Sequence, residues 1–383
     1  MKHYILAGTM LLAICIGGCG GSLPPHEALN QAVTKSFEAT GFNYNTQTRI
    51  TNLVVPPQKG TEEKAEKHRL NLMAGLEVVR GFSVRADGAI DSKAKKSEVL
   101  YDFHYDKDNV EVSIRLPVMM DYNTQTIYVG TSIFTTILEA VYPLPTATRG
   151  KLIRINIGDL LKEGAAAKPE LSRLIGTDRF SPAGFDQMNG AVKVAVRKAV
   201  ARLNDAGFSD QPLSGEDRKA GINRRIRMQL GHEDSVSFLL GLADGIAQEL
   251  LQIEAITREV YDVVHVLADR QQLAGQIEKF PLTMTVDAGI DRAGLVSYLN
   301  SRLSVADGEA GYQLGLENVS SFTNYDAPRF TMVPEGGGVV DFKEVLEALA
   351  AAAADDQDDE NPDDEEDDDV APENSGSEGV VAT

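Results

Sequence analysis

The chain has 383 residues, 43% apolar and 25% charged, an ordinary globular balance with room for one large domain or two small ones. A net charge of −20 argues against a nucleic-acid-binding face, which needs clustered base, and the absence of Trp argues against a large aromatic sugar platform. Fourteen Asp and Glu and no Lys or Arg fall in residues 355–383, leaving about −6 for the rest, so the tail rather than the body carries the acid.

Lys2 and His3 open the chain, and an apolar, small-residue run from Tyr4 to Gly18 follows. It is shorter than the roughly twenty residues that cross a bilayer and reads as an export signal. Its end, Ile16-Gly17-Gly18-Cys19, resembles a lipobox. The resemblance implies that residues 1–18 are removed and that Cys19 is acylated and tethers the protein to a membrane. An ordinary signal peptide cut near Cys19 is the alternative. Gly20, in place of Asp, implies sorting to the outer membrane if the host is Gram-negative. Stable anchoring needs more than one acyl chain, and a lipobox lipoprotein carries at least two. With Cys15 in the signal and Cys19 acylated, the mature chain has no thiol pair, and its stability must come from a core.

After a tether over residues 19–25, His26–Ala39 has helical spacing at Leu29, Ala32, Val33 and Phe37. Strands are expected over Asn43–Val55, Leu76–Ile90, Glu98–Tyr105, Val110–Leu116 and Thr126–Val129. Val110, Val112, Ile114 and Leu116 alternate with Glu111, Ser113 and Arg115, the mark of a strand buried on one face. Thr131–Val141 predicts a helix and Ile153–Ile157 a strand. Ala183–Asn204 predicts a helix with the stripe Phe185, Met188, Val192, Val196, Ala199 and Leu203. Asn223–Leu230 reads as a strand. A helix capped at Asp234 or Ser235 runs to Glu254, and another covers Thr257–Ile277. Strands return around Leu282–Val286, Leu295–Leu303, Tyr312–Leu316 and Arg329–Val333, and Phe342–Ala354 closes the body as a helix. From Asp355 onward the chain has too few apolar residues to offset the entropy of ordering, and a disordered acidic tail is expected within residues 351–383. Strands cluster instead of alternating with helices, which argues for an α+β domain over residues 26–350 with an antiparallel sheet.

Three stretches resemble exported lipoproteins of the LolA-like and LppX/LprG-like type. They are the acylated Cys, tether, helix and Phe42/Tyr44 strand at the start, the strand Asn223–Leu230 turning into an amphipathic helix, and the closing meander Leu282–Phe322 with Asn324–Pro328. The resemblance implies a curved antiparallel sheet, a half-barrel, with helices packed in its concave face and a non-enzymatic role in binding or carrying a lipid-like ligand. The helical middle, Thr131–Ile277, is longer than that pattern needs, and the acidic tail is foreign to it.

No catalytic, cofactor-binding or metal motif is expected. His26, His68, His104, His232 and His265 have no i+3 or i+4 pairing. Asp287, Asp291 and Asp307 fit strand faces and turns better than a carboxylate pair. Arg218, Lys219, Arg224, Arg225 and Arg227 form a basic cluster that could face anionic headgroups, the acidic tail or solvent. Phe185, Met188, Val192, Val236, Leu239 and Leu240 are the candidate lining of a ligand cavity, although core packing asks for the same residues. The tail could act as a spacer, a weak cation binder or a dock for a basic partner, which leaves an envelope scaffold as the alternative function.

Overall fold

The structure is a computed structural model that describes residues 23–55, 79–107, 109–131, 148–160, 180–268, 281–306, 311 and 313–358. In chain order the elements are α1 (Pro25–Glu38), β1 (Gly41–Val54), β2 (Phe82–Asp91), β3 (Lys96–Lys107), β4 (Val110–Asp121), β5 (Thr126–Gly130), β6 (Leu152–Asn156), α2 (Pro182–Ala201), β7 (Phe208–Gln211), α3 (Gly215–Lys219), β8 (Ile222–Leu230), α4 (His232–Gln252), α5 (Arg258–Ala268), β9 (Leu282–Asp291), β10 (Val296–Ala306), β11 (Gln313–Thr323), β12 (Val339–Asp341) and α6 (Phe342–Asp358). The class is α+β, as the clustering of strands predicts.

The twelve strands form one open sheet in the order β12-β6-β5-β4-β3-β2-β1-β11-β10-β9-β8-β7. Every pairing is antiparallel except β12 with β6. Two meanders meet at the long β1–β11 ladder, so the first and last thirds of the body share a seam. Register sorts the side chains. Ile226, Ala288, Leu299, Ser320, Thr46, Ala86, Tyr101 and Leu116 follow one another across eight strands on one face. That face is the one helices cover, because Ile226, Ala288, Met228 and Val286 pack with Ala28, Leu29 and Ala32 of α1 in the main core.

Local chemistry sets the helix limits. The Ser181 hydroxyl accepts from Gly184 N at 3.1 Å and Pro182 occupies the first turn of α2, a strong start signal. Its buried stripe is rotated from the expected one: Ala191 and Ala195 are buried and Val192 is 40% exposed. The cause is close approach to α4, where a Cβ on Gly245 would lie 3.8 Å from Ala195 Cβ. α4 caps at Gly231 rather than at Asp234 or Ser235. Ser235 N already donates to Gly231 O, and the buried Ser235 hydroxyl donates to Leu230 O at 3.1 Å.

Two further expectations are corrected. Arg329–Val333 is not a strand. After β11 the chain crosses the face opposite the helices as a strap. Thr331 N and Met332 N donate to the buried Glu98 carboxylate at 2.7 and 2.9 Å, while Asn43 bonds both N and O of Arg329. A side-chain carboxylate has taken the amides that a neighbouring strand would take. On β4, the alternating end at Val110 and Val112 is 51% and 45% exposed, and burial falls instead at Met119 and Met120. β7, α3 and β12 carry no signal that periodicity resolves, and α6 runs four residues past Ala354. Residues 1–22, the remainder of the Thr131–Val141 helix, residues 269–280, Asp307 and residues 359–383 lie outside the described residues.

Candidate functional site

Among the described residues, an apolar cavity lies where α1 and α2 meet the β1–β11–β10 part of the sheet. Its volume is about 150 Å³ and its walls are Val33, Ser36 and Phe37 of α1, Val196 of α2, Phe42, Val296, Leu299, Phe322 and Tyr325. Phe42 is the hub: its ring lies 5.8 Å from Phe322 edge-on and 5.8 Å from Tyr325. The polar groups are already satisfied. Ser36 Oγ accepts from Val296 N at 2.9 Å, and the Tyr325 hydroxyl donates to Val296 O. Burial pushes the Tyr325 phenol above its ordinary pKa, so it stays neutral. The lining therefore offers a ligand contact area rather than hydrogen bonds.

Below the cavity the helix-side face turns polar but stays uncharged. Asn318 Nδ2 donates to Thr46 Oγ1 at 2.9 Å and to Thr48 Oγ1 at 2.8 Å. Ser320 Oγ donates to Asn318 Oδ1 at 2.9 Å and pairs with Thr46 Oγ1 at 2.8 Å. Beside this patch, Tyr44 lies over Gly88, where a Cβ would come within 2.5 Å of the phenol ring. Burial, reinforced by Tyr101, Glu98 and Asp87, pushes the Tyr44 phenol up to about 12. Past Gly88 the face becomes an open shelf, with Phe82, Tyr101, Val110 and Val112 all at least 37% exposed. Phe82 and Tyr105 lie 5.2 Å apart and Tyr101 stacks on Phe103 at 6.1 Å.

The opposite face carries the charge. Glu317 is 5% exposed and accepts from Arg302 Nε at 2.9 Å and Arg49 Nη2 at 2.6 Å, across three strands. The Arg302 hydrogen bond, assisted against desolvation by Arg49, holds its carboxyl below the usual range. Asp287, 1% exposed, takes both oxygens of its carboxylate to Arg227 at 2.8 and 3.1 Å. The basic cluster is thus largely engaged within the fold. Arg224 pairs with Asp210 and Leu23 O, Arg225 with Asp217, and Arg227 with Asp287. Asp291 caps the turn to β10 by accepting from Leu295 N.

The residues expected to line a cavity are distributed otherwise. Phe185 is buried against Tyr122, with ring centroids 4.3 Å apart. Val236 is buried, Met188 and Leu239 are half-buried and Val192 is exposed. Leu240 lines a separate groove of about 440 Å³ between α2, α4 and α5 whose other walls include Arg202, Asp234, Asp244 and His265. The lining of the apolar cavity escapes sequence reading because Val33, Val196 and Phe322 are far apart in the chain; only Val33 and Phe37, a helical pair, carry a local signal. His26 is tied to Asp205 at 2.6 Å and His265 to Asp244 at 2.8 Å. Among the described residues no three His, Cys, Asp or Glu converge as metal ligands do, and no helix is long and apolar enough to cross a membrane. Neither a scan against protein-family models nor a search of curated proteins gave a match.

Proposed function

We propose that this chain is an exported lipoprotein, anchored through Cys19 in the cell envelope, that binds or carries a hydrophobic ligand without chemical conversion. In a Gram-negative host its station is the outer membrane. The sheet would curve as a half-barrel with α1, α2 and α4 in the concave face, as in the LolA-like and LppX/LprG-like proteins that the sequence resembles. One observation supports the reading above others: a cavity with apolar walls whose few polar groups are bonded within the protein.

Its size constrains the ligand. A dry cavity of that volume holds a molecule the size of benzene, about six carbons. At about 0.8 kcal/mol per buried methylene, six carbons contribute roughly 5 kcal/mol before the costs of association. That is enough to seat the end of a chain and too little to hold it, so further contact outside the cavity is required.

Native mass spectrometry of the full chain carrying Cys19→Ser, purified without detergent, tests the reading. Co-purified lipid mass that is lost on Val196→Trp supports it. A clean apo mass that stays unchanged when lipids are added overturns it. The second reading, an envelope scaffold, is favoured by the run of fourteen acids with no base in residues 355–383. Deleting residues 359–383 should then abolish capture of a basic partner and leave lipid mass unaffected.

A further inference from the structure

The helix-side face of six adjacent strands, β4-β3-β2-β1-β11-β10, carries one formal charge, Lys107 at the end of β3. The chain is 25% charged, yet the remaining acids and bases of these strands point to the other face. The polar patch in the middle of this face can be followed proton by proton. Ser320 donates to the Asn318 carbonyl, so Thr46 donates to Ser320 and accepts from the Asn318 amide, which closes a ring. The second amide proton of Asn318 goes to Thr48 Oγ1. Thr48 is exposed, and its own hydroxyl proton has no acceptor among the described residues. The patch therefore presents one free donor on an uncharged surface.

Its position matters as much as its chemistry. Ser320 stands directly opposite Leu299, a wall of the cavity, and two residues from Phe322, another wall. Those spacings are about 5 Å across strands and about 7 Å along one. On the other side, Thr48 is in register with Val84 and then Phe103 on the open shelf. Cavity, donor and apolar shelf thus lie in sequence on one face.

We infer that this face is the seat of an uncharged amphiphile, a long-chain ester whose alkyl end enters the cavity and whose carbonyl oxygen accepts from the Thr48 hydroxyl. The inference rests on the proposed binding function and specifies its ligand. A carboxylate or phosphate head would leave water for a surface with no counter-charge within the patch, an uncompensated desolvation. A plain alkane would leave the Thr48 donor without an acceptor when water is displaced.

The test is displacement of the uncharged fluorophore N-phenylnaphthylamine from the full chain carrying Cys19→Ser, at about pH 8, by monolaurin, laurate and dodecane. Monolaurin should displace at roughly tenfold lower concentration than laurate. Thr48→Val should weaken monolaurin about five- to tenfold, the effect of one hydrogen bond, and should leave dodecane no weaker, because it removes a donor that an alkane cannot satisfy. The variant keeps a β-branched residue at an exposed strand position, and Thr48→Ser, which restores the donor, should restore affinity. Laurate matching monolaurin, or Thr48→Val moving nothing, would overturn the ester seat while dodecane displacement keeps the hydrophobic-binder reading standing. A fluorophore that binds wild type no better than Val196→Trp would remove that reading and the seat with it.

Discussion

Strands β8 and β4 read alike in sequence and end differently in the fold. Ile226, Met228 and Leu230 alternate with Arg and Gln on β8; Val110, Val112, Ile114 and Leu116 alternate with Glu, Ser and Arg on β4. Yet Ile226 and Met228 are 0% and 4% exposed, whereas Val110 and Val112 are about half exposed. Alternation decides which face a side chain takes, and the cover above that face decides whether water is excluded. α1 and α4 pack over β8–β10. Among the described residues, α2 meets the other meander at its turn end, through Phe185 against Tyr122, Lys95 beside Asp186 and Val196 in the cavity with Phe42. One sheet thus provides a core under its second meander and an exposed apolar surface on its first.

The largest effect should come from emptying the covered half. Ile226→Ala removes a side chain with no exposure from the main core and should cost about 2–5 kcal/mol in equilibrium urea unfolding. A cost under about 1 kcal/mol would mean that α1 and α4 close over the gap and that the two halves differ less in packing.

The strap comes next, since it stiffens the open half from behind. Glu98→Ala leaves the amides of Thr331 and Met332 without their acceptor and should cost about 1–3 kcal/mol. Hydrogen exchange distinguishes its location: the Thr331 and Met332 amides should lose protection while those of β8 keep theirs. Equal loss in both meanders would show that the two halves unfold as one unit.

That strap also marks where sequence reading stops. Arg329–Val333 has strand composition, and only the long-range placement of Glu98, more than 230 residues earlier, takes its amides. Sequence favours Asp234 and Ser235 over Gly231 as the cap because they are the better capping residues, although Ser235 is used inside the first turn bonding Leu230 O. By contrast, the partition of charge between faces was legible. The alternations Arg225/Arg227 and Glu111/Ser113/Arg115 already place the charge away from the apolar side. The cavity was not legible, because it is made by α1 and α2 meeting strands from opposite ends of the chain.

A moderate effect is expected from acid at the seam between the meanders. Glu317 has a folded pKa held below its unfolded value near 4.3, chiefly by Arg302 and then Arg49, so the unfolded chain binds more protons in that range. The stabilisation is present above that value and is lost as pH falls through the lower, folded one. Glu317→Gln should therefore flatten the fall of stability as pH drops below about 5. Tyr44 has the opposite sign. Its folded pKa of about 12 exceeds the unfolded value near 10, so its contribution holds below pH 10 and is lost as pH rises toward 12. Tyr44→Phe should flatten that alkaline limb alone, and a change in the acid limb would contradict the assignment.

The smallest effect on stability carries the most about purpose. Val112 is 45% exposed on the open shelf, and Val112→Thr keeps its strand preference while adding a hydroxyl that water can reach. Folding stability should move by less than about 0.5 kcal/mol, as for other exposed positions. A residue with no packing duty has no reason in folding to be apolar, and its neighbours Val110, Phe82 and Tyr101 share that exposure. A contiguous apolar surface of this kind marks a place where something else excludes the water. Val112→Thr should therefore leave the urea midpoint in place and weaken displacement of N-phenylnaphthylamine by dodecyl laurate, an ester whose second alkyl chain would lie on the shelf. If the midpoint falls and displacement is unchanged, the shelf belongs to the core after all, and the two meanders differ in degree rather than in role.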